Sequence, residues 1–168
     1  ALAWAETDTL WAPDVIRLAD GRYYMYYNAC RGDSPRSALG LAVADLPEGP
    51  YRDQGILLRS GMWGLPSEDG TIYDARVHPN TVDPDVFFDA RRRLWMVYGS
   101  YSGGIFILQM DPATGRPLPG QGYGKRLIGL RNGELVYDGD IADVDEETFR
   151  DIYGRSVTPD DLLEGAEL

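Results

Sequence analysis

Short apolar runs separated by turn residues dominate the first part of the chain. Residues 15–18 and 23–27 are rich in aliphatic and aromatic side chains and flank a turn at residues 19–21. This composition is typical of strands in a half-buried sheet, so the pattern predicts a β-hairpin. Residues 31–36 predict a polar loop with Gly32 and Pro35. Residues 37–44 (SALGLAVA) predict a third strand, and residues 51–58 predict a fourth, outer strand.

A second group of strands is predicted within residues 82–111, VDPDVFFDARRRLWMVYGSYSGGIFILQMD. It contains an apolar strand, a turn, a second strand that ends at Gly99-Ser100, a small-residue turn at 102–104 and a third apolar strand. Asp83 and Asp85 lie on either side of a proline at its start. If the chain holds a reactive centre, we expect it at this position.

The two groups of strands are related by an internal repeat. Pro13-Asp14-Val15 returns 71 positions later as Pro84-Asp85-Val86, and at the same offset Arg22, Met25 and Tyr27 meet Arg93, Met96 and Tyr98. Repeats of three or four short strands are typical of β-propeller blades. The sequence therefore predicts an all-β fold, a partial β-propeller of two to three blades. Two unrelated hairpins that share common strand residues are the alternative.

The repeat distinguishes carboxylates that recur in both units from one that occurs only in the second unit. Asp14 and Asp85 occupy equivalent positions, so both are expected to cap amides at the start of an inner strand. Asp83 has Ala12 as its counterpart and is an extra carboxylate. Inner strands of a propeller line its central channel, where neighbouring acids shift one another's pKa in a way that suits acid and base catalysis. A turn-capping role for Asp83 is the alternative.

A long polar loop, residues 59–81, separates the two repeat units and is expected to contain one short hairpin at most. Long loops in compact domains are often functional. His78, the only histidine, is expected to form loop hydrogen bonds, with a role as catalytic base or ligand as the alternative. Asn80 is a candidate for a polar contact to substrate because it lies close to Asp83 in sequence.

Composition and charge limit the possible partners. The chain has 168 residues, a globular composition and a net charge of -11, with Lys125 as its only lysine. This argues against a nucleic-acid partner, which needs clustered basic residues. Cys30 is the only cysteine, which excludes an intrachain disulfide. No apolar run approaches the roughly 18 residues of a membrane helix, so no membrane partner is expected, and the compartment stays open.

The last 31 residues differ in composition from the rest of the chain. Residues 138–168 carry eleven acidic residues and two arginines. We therefore divide the chain into propeller blades at 1–137 and an acidic tail at 138–168, with two short helices predicted in the tail. A calcium site is the alternative to an exposed acidic face, but the spacing lacks the Gly and closing Glu of an EF-hand loop. No metal or cofactor is predicted.

Several ordered motifs resemble glycoside hydrolase family 43, and its arabinanase and arabinofuranosidase members in particular. They span residues 11–129 and comprise WAPDV at 11–15, residues 23–27, SALGLA at 37–42, Val82-Asp83-Pro84, residues 95–105 and GQGYGKRLIG at 120–129. The resemblance implies a five-bladed propeller that hydrolyses arabinose- or xylose-containing polysaccharides by an inverting mechanism. It also implies three acids: an Asp general base, an Asp that tunes the pKa of the acid, and a Glu general acid.

Asp83 matches the pKa-tuning member of this triad. The general base is expected in a blade upstream of Trp11, and the chain begins without Met only ten residues before it, so that blade is expected to be absent. Neither Glu6 nor Asp8 has the sequence setting of the base. Trp11, Tyr101 and Asn80 are the candidate substrate contacts.

The general acid of the family is expected downstream of residue 129, where no matching motif occurs. Glu134 lies in a predicted hairpin turn instead. Glu48-Gly49-Pro50 resembles the acid motif but precedes Asp83 and is interpreted as a plain turn.

Two functions remain open at this stage. The first is a hydrolase of family 43 type that is incomplete in this chain, and the second is a non-catalytic propeller fragment for carbohydrate binding or assembly. Self-association through exposed blade edges is expected under both.

Overall fold

The computed structural model describes residues 1–100, 102–124, 126–131 and 134–140. These residues form one short helix and ten strands: α1 (Leu2–Ala5), β1 (Leu10–Arg17), β2 (Tyr23–Arg31), β3 (Ser34–Ala44), β4 (Arg52–Arg59), β5 (Asp85–Phe88), β6 (Leu94–Tyr98), β7 (Phe106–Asp111), β8 (Arg116–Pro117), β9 (Arg126–Arg131) and β10 (Glu134–Asp140). The predicted all-β class is confirmed. Within the described part of the chain, no helix has the length and apolar character needed to cross a membrane.

The first four strands form an antiparallel sheet in the order β1-β2-β3-β4, which we call blade 1. Its strands are longer than the sequence predicted. Pairing continues as far as Arg31 and Ser34, so the predicted loop at residues 31–36 shrinks to a turn at Gly32-Asp33. The prediction of a polar loop was wrong there because cross-strand pairing extends β2 and β3 beyond the apolar positions.

Strands β5 to β8 form a second antiparallel sheet in sequential order, which we call blade 2. The register of its first two strands repeats that of blade 1, because Val15 lies opposite Met25 and Val86 lies opposite Met96. Val86 follows Val15 by 71 positions, and Met96 follows Met25 by the same 71 positions. The predicted repeat of propeller blades is therefore confirmed at the level of strand register.

The hydrophobic core lies between the two blades. Each blade contributes one face of its sheet: Tyr24, Tyr26, Leu39, Leu41, Val43 and Leu58 from blade 1, and Val86, Leu94, Met96, Tyr98, Phe106, Leu108 and Met110 from blade 2. The buried phenol of Tyr26 donates a hydrogen bond to the Gly115 carbonyl at 2.8 Å, and that of Tyr98 donates to the Tyr123 carbonyl at 2.6 Å. Burial raises the pKa of both phenols, so both stay neutral donors.

Asp14 connects the two blades at the start of their inner strands. One carboxylate oxygen accepts the Val15 backbone N–H at 2.8 Å, and the other accepts the Val86 N–H of blade 2 at 2.7 Å. The predicted capping role is confirmed for Asp14 and extends to the neighbouring blade. Asp85, its repeat equivalent, is exposed and accepts no such bond from the described residues.

The loop between the blades contains one isolated bridge, Pro66 to Ile72, which is the single short hairpin that the sequence predicted. His78 is buried in this loop and forms hydrogen bonds there, as expected. Its Nδ1 accepts the Asp74 N–H at 2.7 Å, and its Nε2 lies 2.9 Å from Thr71 Oγ1 and 3.2 Å from Asp69 Oδ2.

After blade 2 the described chain forms only a two-stranded sheet, β9 paired with β10. Glu134 lies opposite Arg131 at the start of β10, in agreement with the predicted hairpin turn. Strand β10 continues to Asp140, past the boundary predicted at residue 137. The rest of the acidic tail, with its two predicted helices and the alternative calcium site, lies outside the described residues.

Candidate active site

Asp83 has an unusual backbone conformation immediately before β5. Its φ of 52° lies in the left-handed region, and the repeat-equivalent Ala12 has a φ of 33°. Both precede a proline, which normally forces the preceding residue into an extended conformation. A left-handed residue other than glycine costs about 1–3 kcal/mol, so surrounding contacts must hold both residues in place. At Asp83 this conformation leaves the side chain exposed.

Two polar side chains hold Asp83. Its backbone N–H donates to Oδ1 of Asn28 at 3.3 Å, and Asn28 is completely buried in β2 of blade 1. The hydroxyl of Ser100 donates to Asp83 Oδ2 at 3.1 Å. The backbone is therefore anchored from blade 1 and the carboxylate from the end of β6, which fixes the direction in which the carboxylate points.

Asn80 lies in the same hydrogen-bond network. Its amide nitrogen donates to the Ser100 carbonyl at 3.1 Å, while its Oδ1 is buried and has no hydrogen-bond partner among the described residues. Asn80 therefore supports Ser100, and its contact with a substrate stays a prediction. Tyr101, the other candidate contact next to Ser100, lies outside the described residues.

A cleft of about 790 Å³ opens at the end of blade 1 that carries the start of β1. Helix α1, the first residues of β1 and the β2–β3 turn form its walls, and the half-exposed indole of Trp11 lies in it together with Cys30. Burial is the main cause that raises the pKa of the Cys30 thiol, and the negative charge of Asp83 adds to it. Asp83 itself does not line the cleft, but its backbone N–H bonds to Asn28, which lies opposite Trp11 in the pairing of β1 with β2, so the fold brings two predicted site residues near each other.

Two of the three acids that line the cleft, Glu6 and Asp33, are paired with arginines, whereas Asp8 forms no ion pair with the described residues. Glu6 forms an ion pair with Arg36 at 2.9 Å and lies 3.7 Å from Arg31. Arg31 also binds both carboxylate oxygens of Asp33, at 2.7 and 2.6 Å, and this hydrogen bonding lowers the pKa of Asp33. The Asp33 carboxyl therefore favours its charged form, which does not suit a general acid. Among the described residues, no group of three or more acids, histidines and cysteines could hold a metal ion.

Glu48, which the sequence analysis rejected as the general acid, lies at the other end of blade 1. It belongs to the turn between β3 and β4, whereas Asp83 lies at the end where β1 and β5 begin. The eleven residues of β3 separate these ends by roughly 30 Å. Its position agrees with its interpretation as a plain turn residue.

Asn28 and Ser100, the groups that hold Asp83, were not predicted from the sequence. The sequence did distinguish Asn28, because it is a polar residue within the aromatic strand YYMYYNAC and its equivalent in the second repeat unit is Gly99. Its partner lies 55 positions away, which explains why strand patterns alone did not identify the contact.

The chain is similar to several arabinanases. The "Extracellular endo-alpha-(1->5)-L-arabinanase 2" of Bacillus subtilis (strain 168) is 72% identical over 126 residues, which are 75% of this chain and 27% of that protein. The crystal structure of a family 43 glycoside hydrolase, the YxiA protein of Bacillus licheniformis, superposes on this chain with a TM-score of 0.72 and 73% sequence identity. The superposed region is 76% of this chain and 29% of the Bacillus licheniformis chain. The chain thus spans less than a third of these relatives.

A further similarity is to a protein of another kind. The "Phosphonates import ATP-binding protein PhnC 1" of Oceanobacillus iheyensis is 53% identical over 45 residues, which are 27% of this chain and 17% of that protein.

The sequence model of Glycosyl hydrolases family 43 matches residues 1–121, a span that contains both blades. The last of the quoted motifs, at residues 120–129, extends beyond this match. The extent of the match and the high identity to the two Bacillus proteins agree with the resemblance seen in the motifs. The chain belongs to glycosyl hydrolases family 43 and forms part of the β-propeller of that family.

Proposed function

We propose that this chain forms part of a glycoside hydrolase that cleaves α-1,5-linked arabinan with inversion of configuration. One observation carries the proposal: an exposed Asp83 is held by Ser100 and by Asn28, the residue that lies opposite Trp11 in the neighbouring strand. The names of the arabinanase relatives support arabinan as the substrate class. Xylan-type oligosaccharides are the second class to test.

In this proposal Asp83 orients the sugar and tunes the general acid. The Ser100 hydroxyl donates a hydrogen bond to Asp83 Oδ2. The other carboxylate oxygen, Oδ1, accepts no hydrogen bond from the described residues and can accept one from a sugar hydroxyl. A fixed negative charge raises the pKa of a neighbouring carboxyl and so keeps it protonated for catalysis. The exposed indole of Trp11 provides an apolar surface for the face of a sugar ring.

The general base and general acid belong to chain segments other than the described residues. An inverting pair lies roughly 6.5–9.5 Å apart, one carboxylate on each side of the sugar ring. The chain spans about 27% of the length of the B. subtilis relative, so other segments or other molecules can supply the pair. Carboxylates and water suffice for this reaction, and no cofactor is proposed.

A non-catalytic carbohydrate-binding or assembly module is the second candidate. It is favoured by the pairing of Glu6 and Asp33 with arginines, which leaves Asp8 as the one acid lining the cleft that forms no ion pair with the described residues. In this case the same cleft binds an arabinan chain without cleaving it.

Release of reducing ends from linear α-1,5-arabinan tests the first candidate. In a preparation that also contains the segments that supply the base and the acid, we expect cleavage of the polymer, a loss of at least 100-fold in kcat for Asp83→Asn, and retained activity for Asp85→Asn, an exposed control. Proton NMR of the first products should show the β-anomer. Equal activity of Asp83→Asn would contradict the assigned role. Arabinan binding without turnover would support the second candidate.

A further inference from the structure

A buried histidine lies within the loop that joins the two blades. His78 is 5% exposed, and its ring contacts three positions of this loop. Its Nδ1 lies 2.7 Å from the backbone nitrogen of Asp74, and its Nε2 lies 2.9 Å from Thr71 Oγ1 and 3.2 Å from Asp69 Oδ2. The ring therefore connects residues that are up to nine positions apart, and the proposed mechanism assigns no role to it.

The hydrogen bonds of the ring define its tautomer. A backbone N–H can only donate, so the Asp74 amide requires a lone pair on His78 Nδ1. The proton of the neutral ring then lies on Nε2, where it faces the Thr71 hydroxyl and the Asp69 carboxylate. The Thr71 hydroxyl donates to Asp69 Oδ1 at 2.7 Å, so its oxygen can accept the Nε2 proton. The ring thus uses Nδ1 as an acceptor and Nε2 as a donor.

The ring closes a turn at residues 74–78. The Asp74 carbonyl accepts the His78 backbone N–H at 2.8 Å, while the Asp74 N–H donates to the His78 ring. Both backbone polar groups of Asp74 are therefore bonded to the same residue. The ring also stacks on Tyr73, with centroids 5.9 Å apart, and makes an edge contact with Tyr123 at 6.2 Å. The conformation of this turn depends on the acceptor at Nδ1.

The residues around this turn hold the segment after β6 at two points. On one side, the Ala75 carbonyl accepts the Gly103 N–H at 2.8 Å. On the other side, the Asn80 amide donates to the Ser100 carbonyl at 3.1 Å. The Ser100 hydroxyl, in turn, donates to Asp83 Oδ2. Two hydrogen bonds from the loop thus fix both ends of the segment that directs the Asp83 carboxylate.

We propose that His78 is a positioning residue for Asp83. Its Nδ1 acceptor keeps the turn at residues 74–78 closed, and the closed turn keeps Ser100 in the place from which it directs the carboxylate. Because His78 is buried, it acts through the loop and not on the sugar. The consequence for catalysis rests on the proposed function of Asp83, whereas the consequence for residues 100–103 does not.

Three substitutions separate the roles of the two ring nitrogens. In His78→Asn, the side-chain oxygen lies near the place of Nδ1 and can still accept the Asp74 N–H. In His78→Gln, the longer side chain carries its amide to the place of Nε2 and leaves that N–H without an acceptor. His78→Ala removes both contacts. His78→Asn is therefore the matched control for His78→Gln, because both introduce a neutral amide.

Hydrogen exchange followed by NMR measures how firmly the loop holds the segment. The Gly103 amide, which donates to Ala75, should exchange at least tenfold faster in His78→Gln and His78→Ala, but at about the wild-type rate in His78→Asn. The Val86 amide, which Asp14 holds between the blades, is the internal control and should keep its rate. Equal acceleration of both amides would show that His78 only stabilises the fold, and this would overturn the proposal.

The tautomer provides a second test that does not depend on hydrolysis. Nitrogen NMR at neutral pH should show a proton on Nε2 and none on Nδ1, in the ring signals that disappear in His78→Asn. A proton on Nδ1 would overturn the proposal.

The hydrolysis assay tests the consequence for catalysis. In the preparation described for Asp83→Asn, His78→Gln should lower kcat at least tenfold, whereas His78→Asn should retain most of the activity. Wild-type kcat in His78→Gln would overturn the positioning role. If the wild-type preparation does not cleave arabinan, the proposed function fails, and the exchange rates and the tautomer still decide the role of His78.

Discussion

Replacing Asp14 by alanine removes the hydrogen bond that joins the two blades at their inner strands. The carboxylate accepts Val86 N–H at 2.7 Å and Val15 N–H at 2.8 Å. A hydrogen bond to a charged group contributes about 1.5–3 kcal/mol, and an unpaired buried donor costs a similar amount. The Val15 contact is exposed and adds little. We expect a loss of about 2 kcal/mol in the free energy of unfolding, which is a large part of a typical total of about 5–15 kcal/mol.

Urea unfolding measures this loss. At a urea slope of about 2 kcal/mol/M, the midpoint for Asp14→Ala should fall by about 1 M. Asp85→Ala is the matched control, because Asp85 occupies the same repeat position but accepts no equivalent bond from the described residues. At a protein concentration that keeps the chain monomeric, its midpoint should stay within about 0.5 kcal/mol of wild type. Equal losses for the two variants would refute the idea that Asp14 joins the blades.

Two further predictions concern packing and pH. A Cβ at Gly40 would collide with the ring of Tyr27, so Gly40→Ala should cost about 1–3 kcal/mol in thermal unfolding, whereas Gly32→Ala, with open space around it, should cost far less. Partial desolvation opposes ionisation of Asp89, but hydrogen bonds led by the Arg93 N–H lower the pKa of Asp89 to about 2. Because this pKa is below the ordinary value of about 4, the stabilisation is complete above pH 4 and is lost as the pH falls towards 2. Asp89→Asn should flatten the acid limb of a stability-against-pH curve, and an unchanged limb would contradict this assignment.

Local pattern was enough to predict the blades. Aromatic and β-branched runs specified β2 and β6, and the repeat of Pro-Asp-Val aligned β1 with β5 in the register that the structure has. Strand ends were less predictable, since pairing between neighbours and not composition extends β2 to Arg31. The outer strand β8 has two residues and therefore no periodicity from which it could be predicted.

Contacts between blades could not be read from local pattern. The carboxylate of Asp14 reaches an amide 72 positions away, and Asn28 reaches the backbone of Asp83 across 55 positions. The repeat identified Asp83 as an extra carboxylate, but only the packing of the two blades shows what holds it. The left-handed backbone conformation of Ala12 and Asp83 could not be predicted either, because a residue before proline is expected to be extended.

The most direct test of the account is an NMR titration of the 15N-labelled chain with a linear α-1,5-arabino-oligosaccharide. If Asp83 holds the sugar, the amide signals of Asp83, Ser100 and Asn28 and the indole signal of Trp11 should shift together with one saturation curve. The same titration of Asp83→Asn should show at least tenfold weaker binding. Shifts confined to residues far from Asp83, or equal affinity for the variant, would contradict the central claim that this carboxylate is part of a sugar-binding site.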